Sequence, residues 1–84
     1  MAMKYDFLLR LPAVLKRTGE SRSGHYKRIS DGTFTPPIKI GLRSSAWPDC
    51  EVTTINSARV AGKSDSEIRA LVADLVAQRK EAAC

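Results

Sequence analysis

Eighty-four residues, 43% of them hydrophobic and 27% charged, make one small domain. A chain of this length buries roughly 60–65% of its unfolded surface, which argues against a large enzyme cleft and for a binding module. The net charge of +5 is unevenly spread: residues 1–47 carry nine Lys/Arg against three acids, and residues 48–84 carry five against six.

A basic half joined to a near-neutral one points to a polyanion-facing unit followed by a packing or assembly segment. Cys50 and Cys84 lie far apart in the chain and His25 is its single histidine, so neither a disulfide framework nor a zinc site is expected. The thiols are expected to stay reduced in a reducing cytoplasm, with Cys50 a small packing residue and Cys84 fraying into solvent. There is no run of about 18 apolar residues that would cross a membrane. The start MAMKYDFLLRL lacks the long apolar stretch and cleavage site of a secretory signal.

In chain order, residues 1–6 read as a loose lead-in. Pro12 suits the first turn of a helix over 12–18, with Leu11, Val14, Leu15 and Thr18 at helical spacing and Gly19 as its stop. After Gly19-Glu20, Ser21 is an N-cap for a second helix that runs to about Ser30 and ends at Asp31-Gly32. Two short helices joined through a glycine turn read as a helix-turn-helix. Pro36-Pro37 enforces an extended entry to a small hairpin, Ile38–Ile40 out and Ser45–Trp47 back, with a basic tip at Gly41-Leu42-Arg43-Ser44. Trp47 reads as core rather than as a ligand platform. Pro48 opens a helix to about Ala61, with Val52, Ile55 and Val60 inward. Ser64-Asp65-Ser66-Glu67 is a capping box. It starts an amphipathic helix whose stripe, Ile68, Leu71, Val72, Leu75 and Val76, suits either the domain's own core or a homodimer.

On a helical wheel, Arg22, Ser23, Tyr26, Lys27 and Ser30 fall within about 140° of one another, while His25 and Ile29 lie on the side that can pack inward and Arg28 looks another way. Arginine and lysine donate to guanine O6 and N7, serine allows close approach to a base edge, and tyrosine reaches a phosphate or a thymine methyl. Such a face can also be merely solvated. The preceding helix with its glycine turn, the basic hairpin tip and the lopsided charge favour a DNA surface. Gly24 either permits close backbone approach or weakens the helix. With one histidine, no Gly-rich phosphate loop and no paired carboxylates at a convincing site, no catalytic constellation points to an enzyme.

The run RLPAVLKRTGESRSGHYKRISDGTFTPPIKIGLRSSAW, followed by EV at 51–52, resembles the AlpA family of phage and prophage regulators, which are similar to MerR-like winged helix-turn-helix proteins and small excisionases. The likeness covers residues 8–59 and is carried by LP at 11–12, TG at 18–19, SRS at 21–23, Tyr26-Lys27, Gly32, Phe34, Pro36-Pro37, IKIGLRS and Trp47. It implies a winged helix-turn-helix with a small β-hairpin, expected over 1–61; the extended amphipathic C-terminal helix over 62–84, for packing or dimerisation, rests on the residues alone, and the whole chain is expected to be mainly α. The likeness implies major-groove reading by the Ser-Arg-Ser helix and backbone or minor-groove contact by the wing. The contact set is Ser21, Arg22, Ser23, Tyr26, Lys27, Arg28 and Ser30 on the helix, and Lys39, Arg43 and Ser44 on the wing. Double-stranded DNA is the implied partner, no cofactor is implied, and a recombinase or RNA polymerase is a further candidate partner. Excisionase-like DNA bending and a protein-interaction module built on the C-terminal helix are the alternatives. The family carries an aliphatic residue where this chain has His25, so the imidazole either packs inward or turns toward DNA.

Overall fold

The computed structural model describes Tyr5 and residues 7–82. Its elements are β1 (Leu8–Leu9), α1 (Leu11–Thr18), α2 (Arg22–Asp31), β2 (Ile38–Lys39), β3 (Ser45–Pro48), α3 (Asp49–Val60) and α4 (Asp65–Ala82). The mainly α reading with a hairpin holds. Cys84 lies outside the described residues.

The helix-turn-helix is punctuated by glycine. Gly19 and Gly32 follow α1 and α2 with φ of 74° and 82°, the left-handed conformation that lets the chain turn back on the last carbonyls. Their amides donate to Leu15 and Ile29 carbonyls at 2.8 and 3.2 Å. The hairpin forms as expected, with Ile38 opposite Ala46 and Lys39 opposite Ser45. The sequence reading lacks β1, which pairs with the other edge of β3 through Leu8 opposite Pro48 and Leu9 opposite Trp47. Two residues are too few for an alternating pattern, so only the partner strand reveals them. The sheet order is therefore β1-β3-β2, with β3 in the middle.

One core joins all the layers. Val14 of α1, Phe34, Trp47 of β3, Val52 and Ile55 of α3, and Ile68, Val72 and Leu75 of α4 form a single buried cluster, with Leu71 and Val76 packed on its margin. The amphipathic stripe of α4, which the sequence leaves between core and homodimer, thus covers this chain's own core. Its capping box closes as read: Ser64 Oγ accepts from the Glu67 amide at 3.2 Å and Glu67 Oε1 from the Ser64 amide at 3.1 Å. Trp47 is core, and its indole N–H donates to the Thr35 carbonyl at 2.9 Å. Val60 is not inward. It is 90% exposed, because five residues past Ile55 it has rotated by about 140° around α3.

Two contacts from α4 reach back to the front of the molecule. Arg69 Nε donates to the Asp31 carbonyl at 2.9 Å, satisfying an end carbonyl of α2. Arg79 donates to the Pro36 carbonyl at 2.9 Å and makes a two-pronged ion pair with Glu51, at 2.8 Å through Nε and 2.5 Å through Nη2. Glu51 is fully buried on α3, a position where an unpaired carboxylate would be very costly. So α4 ties down both the end of α2 and the entry to the hairpin. Among the described residues no helix is long and apolar enough to cross a membrane.

Candidate nucleic-acid interface

The second helix is seated by its N-cap, its histidine and its far end. Ser21 Oγ accepts from the Gly24 amide at 3.1 Å, the N-cap bond that the Ser-rich entry predicts. Gly24 has a use neither sequence reading contains. A Cβ there would lie 3.2 Å from Ser21 Oγ, so glycine leaves room for the capping hydroxyl. Ser21 therefore serves the fold through its side chain, although it stays exposed.

His25 packs inward and is fully buried. Its ring stands edge-on to Phe34 at 4.8 Å and to Trp47 at 5.0 Å between centroids. Neither ring nitrogen has a hydrogen-bond partner. Burial pushes the imidazole pKa down, with Glu20 a weaker pull upward, so the ring is held neutral. Arg28 is half-buried and its Nε is ion-paired with Glu20 Oε2 across the turn between the helices. Its charge is spent within the fold, unlike that of the other cations in the predicted contact set.

The remaining side chains of α2 lie where the wheel puts them. Arg22, Ser23, Tyr26, Lys27 and Ser30 are exposed, while Ile29 is half-buried against the core. On the wing, the Ile40 amide donates to the Ser44 carbonyl at 2.9 Å, closing a tip of Gly41, Leu42 and Arg43. Lys39 and Arg43 are exposed, Ser44 is half-buried, and Leu42 at the tip is 95% exposed.

The fold sorts the cations by partner. Arg17 pairs with Asp49 at 2.8 Å, Arg28 with Glu20, Lys63 with Glu67 at 3.7 Å and Arg79 with Glu51. Arg59 and Arg69 donate to backbone carbonyls of Thr33 and Asp31. Among the described residues, Arg10, Lys16, Arg22, Lys27, Lys39 and Arg43 have neither a carboxylate nor a hydrogen-bond partner. All six belong to the basic segment, residues 1–47. Arg10, Arg22 and Arg43 also line one groove of about 520 Å³, with Tyr26, Ser45 and the start of α1.

Arg10 is the residue that the sequence reading misses. A signal for it exists: it precedes a helix start, where the positive end of the helix dipole disfavours a cation. Among the described residues no three metal-ligating side chains come together.

The model of the family described as Prophage CP4-57 regulatory protein (AlpA) matches residues 7–60, the stretch from β1 to the end of α3. Over 55 residues the chain is 40% identical to an uncharacterized protein, ORF88, of Enterobacteria phage P4. That alignment takes in 66% of this chain and 62% of the phage protein, so the chain spans less than two thirds of this relative's length. No solved structure matches.

Proposed function

The chain belongs to the AlpA family of prophage regulatory proteins, and we propose that it regulates by binding double-stranded DNA sequence-specifically, with α2 in the major groove and the β2–β3 hairpin as the wing. One observation carries this reading: among the described residues, the cations without a protein partner all come from the segment that holds α1, α2 and the wing. Cations that serve only stability find partners, as those of α3 and α4 do. Cations left unpaired on a firmly seated helix are available to a polyanion.

Phosphate contacts supply most of the affinity and the orientation, and base edges supply the specificity. Lys27, Ser23 and Ser30 are the base-reading candidates on α2, Tyr26 reaches a phosphate or a thymine methyl, and Lys39, Arg43 and Ser44 serve the wing. The buried His25 supports the reading by fixing α2 rather than by touching DNA. Selection of bound fragments from random DNA tests the proposal. It is expected to return a defined site, and recovery of no preferred sequence at 100–200 mM salt, chosen because non-specific affinity is salt-sensitive, would end it.

Leu42 favours a second reading, excisionase-like bending of DNA with a recombinase as partner. A leucine 95% exposed beside Arg43 at a wing tip has the shape of a wedge for a minor-groove step. Circular-permutation gel shifts decide it: position-dependent mobility that disappears in Leu42→Ser supports bending, and uniform mobility leaves the regulator alone. A homodimer through the α4 stripe gains nothing from the structure, since Ile68, Val72 and Leu75 are already buried.

A further inference from the structure

Three arginines from three separate elements meet in one groove. Arg10 stands at the N-cap of α1, Arg22 is the first residue of α2, and Arg43 belongs to the tip of the wing. Like charges gathered in one recess repel, and none of these three has a carboxylate among the described residues to offset that. The backbone sharpens the point. Neither α1 nor α2 has an acid in its first turn, whereas α3 begins with Asp49 and Glu51 and α4 with Asp65 and Glu67. Two helices thus open beside this groove with an arginine where the dipole favours an anion. Among the described residues the carboxylate nearest in sequence, Glu20 before the N-cap of α2, is ion-paired with Arg28, and none is paired with the three arginines.

The lining also has the right chemistry for one phosphate. Guanidinium groups are planar forks that match phosphate oxygens in pairs. Tyr26 and Ser45 add hydroxyl donors, and the groove of about 520 Å³ is open enough to admit a strand from outside.

We propose that this groove seats a single phosphodiester of the DNA backbone, held between α1, α2 and the wing, with Arg10 as its third arm. The proposal rests on the duplex-binding function above and deepens it. Arg22 is assigned to backbone rather than to a base edge, and base reading falls to the side chains further along α2. A phosphate at this junction fixes the wing relative to α2, so it sets the register of the whole protein on the duplex.

The test uses the full chain and a duplex recovered by selection, in which each phosphate in turn is replaced by a neutral methylphosphonate. Binding is followed as a function of salt for the wild type, Arg10→Gln and, as a cation outside the groove, Lys16→Gln. Arg10→Gln is expected to lower the log–log salt slope by about one, equally on the selected and a scrambled duplex. One neutralised phosphate is expected to lower the wild-type slope by the same amount, and to lower that of Arg10→Gln no further. With Lys16→Gln the two losses are expected to add. A wild-type slope in Arg10→Gln, or losses that add between Arg10→Gln and every phosphate, would overturn the seat. The thermal midpoint of Arg10→Gln, expected to be unchanged for an exposed unpaired side chain, separates this from misfolding. If the wild type prefers no duplex, the proposed function itself fails; if it does and Arg10→Gln keeps its slope, the seat alone fails. Inorganic phosphate shifting the Arg10, Arg22 and Arg43 side-chain resonances more tightly than the duplex would assign the groove to a free anion and also overturn the proposal.

Discussion

Arginines at the front of the molecule and arginines at the back are put to opposite uses. On α3 and α4, Arg59, Arg69 and Arg79 each reach a defined oxygen, and Arg79 finishes a pair with a buried carboxylate. At the start of α1, on α2 and on the wing, Arg10, Arg22 and Arg43 stand exposed with none among the described residues. Net charge alone does not tell these groups apart. Partnership does, since a paired cation is part of the scaffold and an unpaired one is free to bind an external anion. Arg28 sharpens the distinction from within α2: a wheel position turned away from the rest goes with an ion pair to Glu20.

If the back is scaffold, its loss should appear as instability. Arg79→Ala leaves the Glu51 carboxyl buried without its partner, and is expected to cost about 3–5 kcal/mol in urea unfolding. That is a large share of the roughly 5–15 kcal/mol a small domain has. The pair Glu51→Gln with Arg79→Met should recover much of it. An Arg79→Ala protein of near wild-type stability would erase the contrast between the two regions.

At the front, Lys27→Ala should leave the unfolding midpoint unchanged and weaken binding to the selected site by about 1–3 kcal/mol, the range for a good base contact. Equal loss on every sequence would turn Lys27 into a phosphate contact and sharpen the division between α2 and its flanks.

His25 joins the two regions, because it seats α2, the proposed binding helix, in the scaffold. Its two unpartnered nitrogens are buried, so His25→Leu is expected to stabilise the fold by about 1 kcal/mol at pH 7.5. The pH dependence follows from the downward shift. The unfolded imidazole, with pKa near 6.5, takes up a proton before the folded one does. Stability is therefore fully present above about pH 6.5 and falls as the pH drops through the unfolded value toward the folded one. His25→Leu should remove that part of the acid sensitivity, and unchanged urea midpoints between pH 7.5 and 5.5 in the wild type would contradict the burial argument.

Smaller still is the effect of the wing. Arg43→Ala is expected to lower the salt slope of binding by about one without altering stability. Smallest is Lys63→Ala, which removes an exposed pair with Glu67 and should change neither stability nor binding measurably. A measurable binding defect there would extend the interface beyond the front.

Legibility tracked the reach of each signal. Gly19, Ser21, Gly32 and the Ser64–Glu67 box act within a few residues, and each does in the structure what its chemistry predicts. The inward turn of His25 and the exposure of Tyr26 and Lys27 follow from helical period once α2 is placed. Contacts between distant residues were not legible. Arg79 reads as a solvated position of an amphipathic helix until Glu51, 28 residues earlier, is found beneath it. Leu8–Leu9 carries no strand signal until β3 lies alongside. Arg10 reads as one cation among many until α2 and the wing bring Arg22 and Arg43 to the same groove.

By itself the sequence determined the helix-turn-helix, the hairpin, the capped last helix and the cationic face of α2, because caps, glycine turns and helical period are local physics. Tertiary structure decided which cations are neutralised and which are left open, that α4 covers this chain's own core, and that three arginines converge. Charge pairing and burial depend on separations of a few ångströms between residues far apart in the chain, and only the folded packing sets those distances.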